Sequence, residues 1–267
     1  METHTRKFHS PSLGTDLEYK VYGSGGKPVM AFPSYCGRFF DYENFGMVAA
    51  LESFIDAGDL RVFAVDGRDE EGWHGPWRGT EMGRRHRAYE LAVAEDAASD
   101  MRREFGVEER FLATGCSFGA YHALNFCMKF PERFDSCVCL SGIYSLRPVI
   151  GNYYDDSVYF NDPSAYLSGL SDEALLAKLR RGYFIVCHGL GSWEIDIDVT
   201  REVCRVMAEK GLPAWYSVWG ERYQHDWWAW KEQAQRFFHE LRAGVVHPEG
   251  AAGKLRLVGP ERRKLPL

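Results

Sequence analysis

The sequence predicts an α/β fold, with a mainly parallel central sheet and helices on both of its faces. Short continuous apolar runs, typical of strands buried on both faces, alternate along the chain with longer segments of helical periodicity. This alternation is the pattern of strand-helix-strand units. The predicted strands cover residues 16–22, 28–32, 61–65, 111–114, 136–140, 183–187 and 214–218. The predicted helices cover residues 43–57, 83–105, 118–130, 199–211 and 226–242.

The alternation of strands and helices is interrupted once and ends before the C-terminus. Residues 143–182, rich in Tyr, Asp, Ser and Pro, predict a small lid-like insertion over the sheet edge. Residues 244–267 contain several Gly and Pro residues and a basic cluster, and predict an extended tail. We therefore expect one domain over residues 1–243, followed by this tail.

Composition excludes several classes of protein. Of 267 residues, 45% are hydrophobic, which is enough for a large core. The net charge of −6 argues against binding nucleic acid or an anionic membrane, because both ligands attract basic proteins. No apolar stretch approaches the roughly 18 residues needed to cross a bilayer. We expect neither nucleic acid nor membrane as a partner.

Cysteine usage and the N-terminus indicate a reduced compartment. The seven cysteines are odd in number and show no CxxC spacing, and most lie in apolar segments, where a free thiol packs as a small hydrophobic group. The first residues lack the apolar run of a signal peptide. We predict a cytoplasmic protein without a metal site or cofactor.

The pentapeptide Gly115-Cys116-Ser117-Phe118-Gly119 lies between a short predicted strand and a well-patterned helix. A G-x-S-x-G sequence in this context predicts a nucleophile elbow, a tight turn that presents the serine at the helix N-terminus. The free amides and the dipole at that end favour a developing negative charge. Without the flanking strand and helix, the same residues would indicate only a glycine-bounded turn.

A serine hydroxyl needs a base, and in such an arrangement the base follows both the serine and an acid along the chain. Five histidines follow Ser117: residues 122, 188, 225, 239 and 247. His225 alone lies in the loop between the last predicted strand and the last predicted helix, so we predict His225 as the base. The tryptophans at 227, 228 and 230 are interpreted as docking the last helix.

The acid is expected in the loop after strand 183–187. Glu194 is the first candidate because it follows a Gly-x-x pattern, while Asp196 and Asp198 remain alternatives. Asp198 is also well placed to cap the next helix.

An oxyanion hole needs two backbone amides. The sequence predicts the N–H of Phe118, directly after the nucleophile, and the N–H of Ser34, in the loop after strand 28–32. Tyr35 and Arg38 follow in that loop and are candidate substrate-binding residues. Arg38 could instead pair with Asp41 or Glu43.

Two blocks of the sequence resemble the putative esterase family of α/β-hydrolases, which also contains S-formylglutathione hydrolases, feruloyl esterases and mycolyltransferases. The first block, residues 114–124, is similar to the family's elbow and continues through Phe130-Pro131-Glu132-Arg133-Phe134 and Leu140-Ser141-Gly142. The second is His225-Asp226-Trp227, and the whole resemblance spans roughly residues 8–242.

The resemblance implies an α/β-hydrolase fold in which Ser117 attacks an acyl carbonyl, His225 moves the proton and Glu194 orients the histidine. The family usually has Asp as the acid, and His-Gly or Asp-Gly where this chain has Phe32-Pro33. Because proline lacks an N–H, the oxyanion amide must come from the residue after it.

The expected activity is hydrolysis of carboxylic esters, or thioesters, through an acyl-serine intermediate. Two alternatives remain: acyl transfer by the same three residues, and a non-catalytic binding protein on a hydrolase scaffold. The expected partner is a small-molecule acyl ester, and assembly into a homo-oligomer is left open.

Overall fold

The computed structural model describes residues 1–242, and its eight strands form one sheet in the order β1-β2-β4-β3-β5-β6-β7-β8. The strands are β1 (Thr3–Ser10), β2 (Thr15–Tyr22), β3 (Lys27–Phe32), β4 (Leu60–Val65), β5 (Phe111–Cys116), β6 (Phe134–Leu140), β7 (Tyr183–His188) and β8 (Ala214–Val218). Strand β2 pairs antiparallel with β1 and with β4, and every other pair is parallel. The mainly parallel sheet predicted from the sequence is confirmed.

Helices cover both faces of the sheet. They are α1 (Asp41–Asn44), α2 (Met47–Asp56), α3 (Thr80–Leu91), α4 (Ala98–Phe105), α5 (Phe118–Lys129), α6 (Arg147–Ile150), α7 (Asp156–Tyr159), α8 (Pro163–Gly169), α9 (Glu173–Leu179), α10 (Ile197–Glu209) and α11 (Trp227–Glu240). In β3, Met30 and Phe32 join one buried cluster, whereas Val29 and Ala31 join the other. Strand side chains alternate between the two faces, so a strand buried on both sides is apolar throughout.

Three elements differ from the predicted ones. Strand β1 was not predicted, because its sequence is polar except for Phe8, as suits an exposed edge strand. The predicted helix 83–105 is a helical run from Thr80 to Phe105, with a π-helical segment over Ala92–Ala97. The predicted helix 43–57 is split into α1 and α2 at Gly46, which has a φ of 77°.

The predicted insertion, residues 143–182, contains the four short helices α6–α9. Leu146 and Val158 from this segment pack with Phe118 and Tyr121 of α5 in a separate buried cluster. The insertion therefore lies against the helix that begins directly after Ser117. The predicted tail, 244–267, lies outside the described residues, and the domain boundary at 243 stays a prediction.

All seven cysteines are free thiols in the structure, and all except Cys36 are buried. The six buried cysteines pack in the core, as the sequence suggests. None of the helices within residues 1–242 is long and apolar enough to span a bilayer.

Six strands, β3–β8, run parallel, so the carboxyl ends of β3, β5, β6, β7 and β8 lie at one edge of the sheet. Loops at such an edge form the usual ligand crevice of open α/β sheets. The loops that leave these strands carry Ser34, Ser117, Ser141, Glu194 and His225, respectively. The topology thus brings together residues that are up to 191 positions apart in sequence.

Candidate active site

A sharp turn between β5 and α5 carries Ser117. Its backbone has a φ of 56° and a ψ of −122°, a conformation that costs a non-glycine residue on the order of 1–3 kcal/mol. The Ser117 N–H donates to the carbonyl of Leu140 at 2.9 Å, which ties the turn to the end of β6. Strained residues of this kind persist where the surrounding structure holds them, and they cluster at active sites.

Both glycines of the pentapeptide are required by close backbone contacts. A Cβ on Gly115 would lie 2.3 Å from the carbonyl group of Gly119. A Cβ on Gly119 would lie 2.4 Å from the carbonyl oxygen of Pro33 and 2.5 Å from that of Phe32. Because these neighbours are backbone atoms, no side chain can rotate to make room. Helix α5 therefore packs directly on the loop after β3.

We expect Gly119→Ala to lower the free energy of unfolding by about 2 kcal/mol or more, because the new methyl group forces α5 away from Pro33. Gly25→Ala is the matched control, since a Cβ there would meet nothing within 4 Å. Urea unfolding of both variants measures the difference. Equal stabilities for the two variants would contradict the tight packing at Gly119.

His225 lies beside Ser117. Its Nε2 is 2.9 Å from the Ser117 hydroxyl oxygen. The side chain of Asp226 accepts from the Trp227 N–H and caps α11, so His225 is held in the loop just before that helix. The backbone N–H of His225 donates to the Ser192 carbonyl at 3.0 Å, which joins this loop to the loop after β7.

Glu194 approaches the other ring nitrogen of His225. Its Oε2 lies 3.4 Å from Nδ1. This contact is longer than a typical N–H···O bond, as is common before substrate tightens a site. The other oxygen, Oε1, accepts from the Ser141 hydroxyl at 2.7 Å and from the Gly189 N–H at 2.9 Å. The carboxylate is thus fixed by two donors on its outer side, and its Oε2 faces the imidazole.

Of the three candidate acids, Glu194 is the one whose side chain lies beside His225. Asp196 immediately precedes α10, and its pKa is raised by burial and by the nearby charge of Asp162. Asp198 lies in the first turn of α10 and pairs with Arg201 at 2.7 Å. Its side chain makes no capping bond, since Asp196 occupies the N-cap position.

The surroundings of Glu194 lower its pKa. Burial alone raises it, but the hydrogen bonds from His225, Ser141 and the Gly189 N–H outweigh burial, so the net pKa lies below the ordinary value. A carboxyl group whose pKa is lowered by folding stabilises the folded state at pH values above its pKa in the unfolded chain. This stabilisation is lost as the pH falls through the pKa of the folded state.

We expect Glu194→Gln to flatten the acid side of the stability profile. The wild-type free energy of unfolding should fall more steeply than that of the variant from about pH 5 downward, where glutamates of the unfolded chain become protonated. Urea unfolding at a series of pH values measures both slopes. Glu52→Gln, at an exposed position on α2, is the control and should keep the wild-type slope. Identical slopes for Glu194→Gln and wild type would contradict the prediction.

Two backbone amides beside Ser117 are free to donate to a ligand oxygen. Among residues 1–242, neither the Phe118 N–H nor the Ser34 N–H donates to another group. Phe118 is the first residue of α5, and Ser34 follows Pro33, which touches Gly119 on the same helix. The two amides predicted from the sequence therefore come from backbone segments that are in direct contact.

The candidate substrate-binding residues lie in the loop that continues from Ser34. Tyr35 is 58% exposed, and its ring packs edge-on against His74 at 4.3 Å between centroids. The Arg38 guanidinium donates to Asp66 at 2.6 Å and to Glu18 at 3.3 Å. The side chain of Arg38 does not pair with Asp41 or Glu43, the alternatives suggested by the sequence. Asp41 instead accepts the backbone N–H of Arg38, and Glu43 pairs with Lys20. Substrate contact by Tyr35 or Arg38 stays a prediction.

Two other histidines after Ser117 are held elsewhere. His122 points from α5 towards Asp69, with its Nε2 2.8 Å from that carboxylate. The ring nitrogens of His188 each lie 2.6 Å from a partner, the Gly189 carbonyl and the Tyr216 hydroxyl. Neither is the histidine that faces Ser117.

Comparison with protein families agrees with this geometry. The model of the family described as "Putative esterase" matches residues 40–247 of the chain. The chain belongs to the putative esterase family. The family resemblance seen in the sequence is thereby confirmed, and hydrolysis of carboxylic esters is the reaction class of the chain.

Solved structures show that the esterase has the α/β-hydrolase fold of its relatives. A ferulic acid esterase is 16% identical, with a TM-score of 0.71, and the match covers 88% of this chain and 95% of that one. An S-formylglutathione hydrolase from Agrobacterium tumefaciens is 14% identical, with a TM-score of 0.70 and 95% of both chains covered. FphF, a fluorophosphonate-binding serine hydrolase of Staphylococcus aureus, is 13% identical, with a TM-score of 0.67 and coverage of 89% and 97%. No curated protein sequence matches the esterase.

Ser141 is a residue of this site that sequence reasoning did not assign. It lies directly after β6. Its hydroxyl donates to Glu194, which is 53 positions later in the sequence. Its φ of 50° is unfavourable for a serine. A polar residue at the carboxyl end of a buried central strand is the signal that could have identified it.

Proposed function

We propose that the esterase hydrolyses a small-molecule carboxylic ester through an acyl intermediate on Ser117, with His225 as the base and Glu194 as the acid. The observation that carries the proposal is the 2.9 Å approach of His225 Nε2 to the Ser117 hydroxyl, with Glu194 at the opposite ring nitrogen. This arrangement activates a serine for acyl transfer, because the hydroxyl alone is a poor nucleophile near neutral pH.

In the first half of the reaction, Ser117 Oγ attacks the carbonyl carbon of the ester as its proton passes to His225 Nε2. The carbonyl oxygen becomes an oxyanion that accepts hydrogen bonds from the Phe118 and Ser34 amides. The intermediate collapses when the bond to the alkoxy oxygen breaks, and His225 gives its proton to the departing alcohol. The acyl group is then bound to Ser117.

In the second half, a water molecule gives a proton to His225 and attacks the acyl carbon. The intermediate collapses, Ser117 Oγ recovers the proton and the carboxylic acid is released. Glu194 stays ionised throughout, because its pKa lies below the usual range. Its negative charge stabilises the imidazolium and holds Nδ1 as the protonated nitrogen.

The Ser141 and Gly189 donors support this role of Glu194. They engage Oε1 only, so the carboxylate cannot turn away from His225 without losing two hydrogen bonds. Glutamate is one methylene longer than aspartate, and these donors hold the longer side chain in one position.

A series of p-nitrophenyl esters with increasing acyl length tests the proposal and defines the acyl pocket. We expect release of p-nitrophenol with saturation kinetics for at least the short chains. Product analysis with an added alcohol separates hydrolysis from acyl transfer, since only a transferase yields a new ester as its main product. A folded wild-type protein that turns over no member of the series would favour the binding-protein alternative.

A further inference from the structure

The loop after β3, which carries the Ser34 amide, is held by a buried carboxylate in addition to its own turn hydrogen bond. The Gly37 N–H donates to the Ser34 carbonyl at 2.8 Å and closes a turn in which Cys36 has a φ of 50°. That left-handed conformation is unfavourable for cysteine, so the turn needs support from outside. Asp69 supplies it: its Oδ2 accepts the Cys36 N–H at 3.0 Å.

The other oxygen of Asp69 reaches the nucleophile helix. Nε2 of His122, on α5 and five positions after Ser117, donates to Asp69 Oδ1 at 2.8 Å. Both side chains are almost fully buried, with 2% of His122 and 3% of Asp69 exposed. The backbone of Asp69 is itself fixed, because its carbonyl accepts the N–H groups of Gly72 and His74.

One carboxylate therefore connects the two segments that supply the amides beside Ser117. Phe118 begins α5, which Asp69 contacts through His122, and Ser34 begins the turn that Asp69 contacts through Cys36. We propose that Asp69 is a positioning residue that sets the distance between the Ser34 and Phe118 amides, with His122 as the partner that orients it. The inference rests on the proposed function, since it assigns those amides to the oxyanion.

Two variants of Asp69 separate a positioning role from a structural one. Asp69→Ala removes both acceptors and should lower kcat for p-nitrophenyl acetate on the order of 10²-fold, the effect expected when catalytic groups are displaced by about 1 Å. KM should change by less than about 3-fold, since an oxyanion contact acts mainly in the transition state. Asp69→Asn should recover most of the rate, because an amide can accept from Cys36 and donate to the other tautomer of His122.

Phenylboronic acid provides a second measurement. It forms a tetrahedral adduct with an activated serine and resembles the transition state, so its affinity should fall with Asp69→Ala by about the same factor as kcat/KM. Asp100→Ala is the matched control. Asp100 is also buried, at 2% exposed, and it binds Tyr19 and Arg6 on β2 and β1 instead of the loop after β3. Asp100→Ala should lose stability in urea yet keep the wild-type kcat and boronate affinity.

A folded Asp69→Ala with wild-type kcat and boronate affinity would overturn the inference, as would equal losses of kcat in Asp69→Ala and Asp100→Ala. If Asp69→Ala does not fold, His122→Phe replaces it, because phenylalanine keeps the ring contacts and removes only the hydrogen bond. We expect a lower kcat for this variant, and an unchanged kcat would also overturn the inference. Full activity of Ser117→Ala would instead reject the proposed function, so the two failures are distinguishable.

Discussion

Ser117→Ala is expected to lower kcat for p-nitrophenyl acetate by about 10⁵- to 10⁶-fold, the range found when the nucleophile of a serine triad is removed. The variant keeps the free amides of Phe118 and Ser34, so a residual rate of about 10³- to 10⁴-fold above the uncatalysed reaction should remain. The free energy of unfolding should stay near the wild-type value, since among the described residues the hydroxyl hydrogen-bonds only with His225.

The control for this substitution is Ser99→Ala, at an exposed position on α4. It should retain the wild-type kcat and KM. A Ser117→Ala protein with a kcat within about tenfold of wild type would show that catalysis does not pass through this hydroxyl.

His225→Ala should lower kcat by about 10⁴-fold or more. Among the described residues, 1–242, only His225 is placed to take the proton from Ser117. The ring of His225 packs edge-on against Trp230 at 4.9 Å, so the substitution leaves a space the size of an imidazole. Added imidazole should enter this space and restore part of the rate in a concentration-dependent manner. The double variant Ser117→Ala/His225→Ala should be no slower than Ser117→Ala, since the two residues act as a unit.

The matched histidine control is His239→Gln, on the exposed side of α11. It should behave as wild type and show no response to imidazole. Wild-type activity in His225→Ala, or a further large loss in the double variant, would contradict the assignment of His225 as the base of Ser117.

The tight turn at Ser117 and the position of His225 beside it could be predicted because their signals are local. Gly115 and Gly119 flank Ser117 within five residues, and the strand and helix around them are readable from periodicity alone. His225 is adjacent to Asp226, which caps the last helix. These short-range patterns needed no knowledge of how distant segments meet.

The acid could only be narrowed to three residues. Glu194, Asp196 and Asp198 share one loop, and the choice depends on which side chain points towards the end of β6. In the structure, Ser141 and the Gly189 N–H bind Glu194, whereas Asp198 lies in the first turn of α10, and this geometry supports the proposal of Glu194.

The positioning residues could not be predicted, because their partners are distant in sequence. Asp69 contacts His122 across 53 positions and Cys36 across 33, and neither contact has a motif of its own. Strand β1 was missed for a different reason, since an exposed edge strand gains its stability from backbone pairing and shows little apolar alternation.

Labelling with a fluorophosphonate, followed by peptide mapping, is the sharpest test of Ser117 as an activated nucleophile, because the phosphonyl adduct is stable and needs no second step to be detected. We expect one phosphonyl group per wild-type molecule, located on the peptide that contains Ser117. Ser117→Ala should carry no label, and His225→Ala should be labelled much more slowly, since its serine lacks a base. Stoichiometric label on any other residue of the wild type, or unchanged labelling of Ser117→Ala, would contradict this assignment.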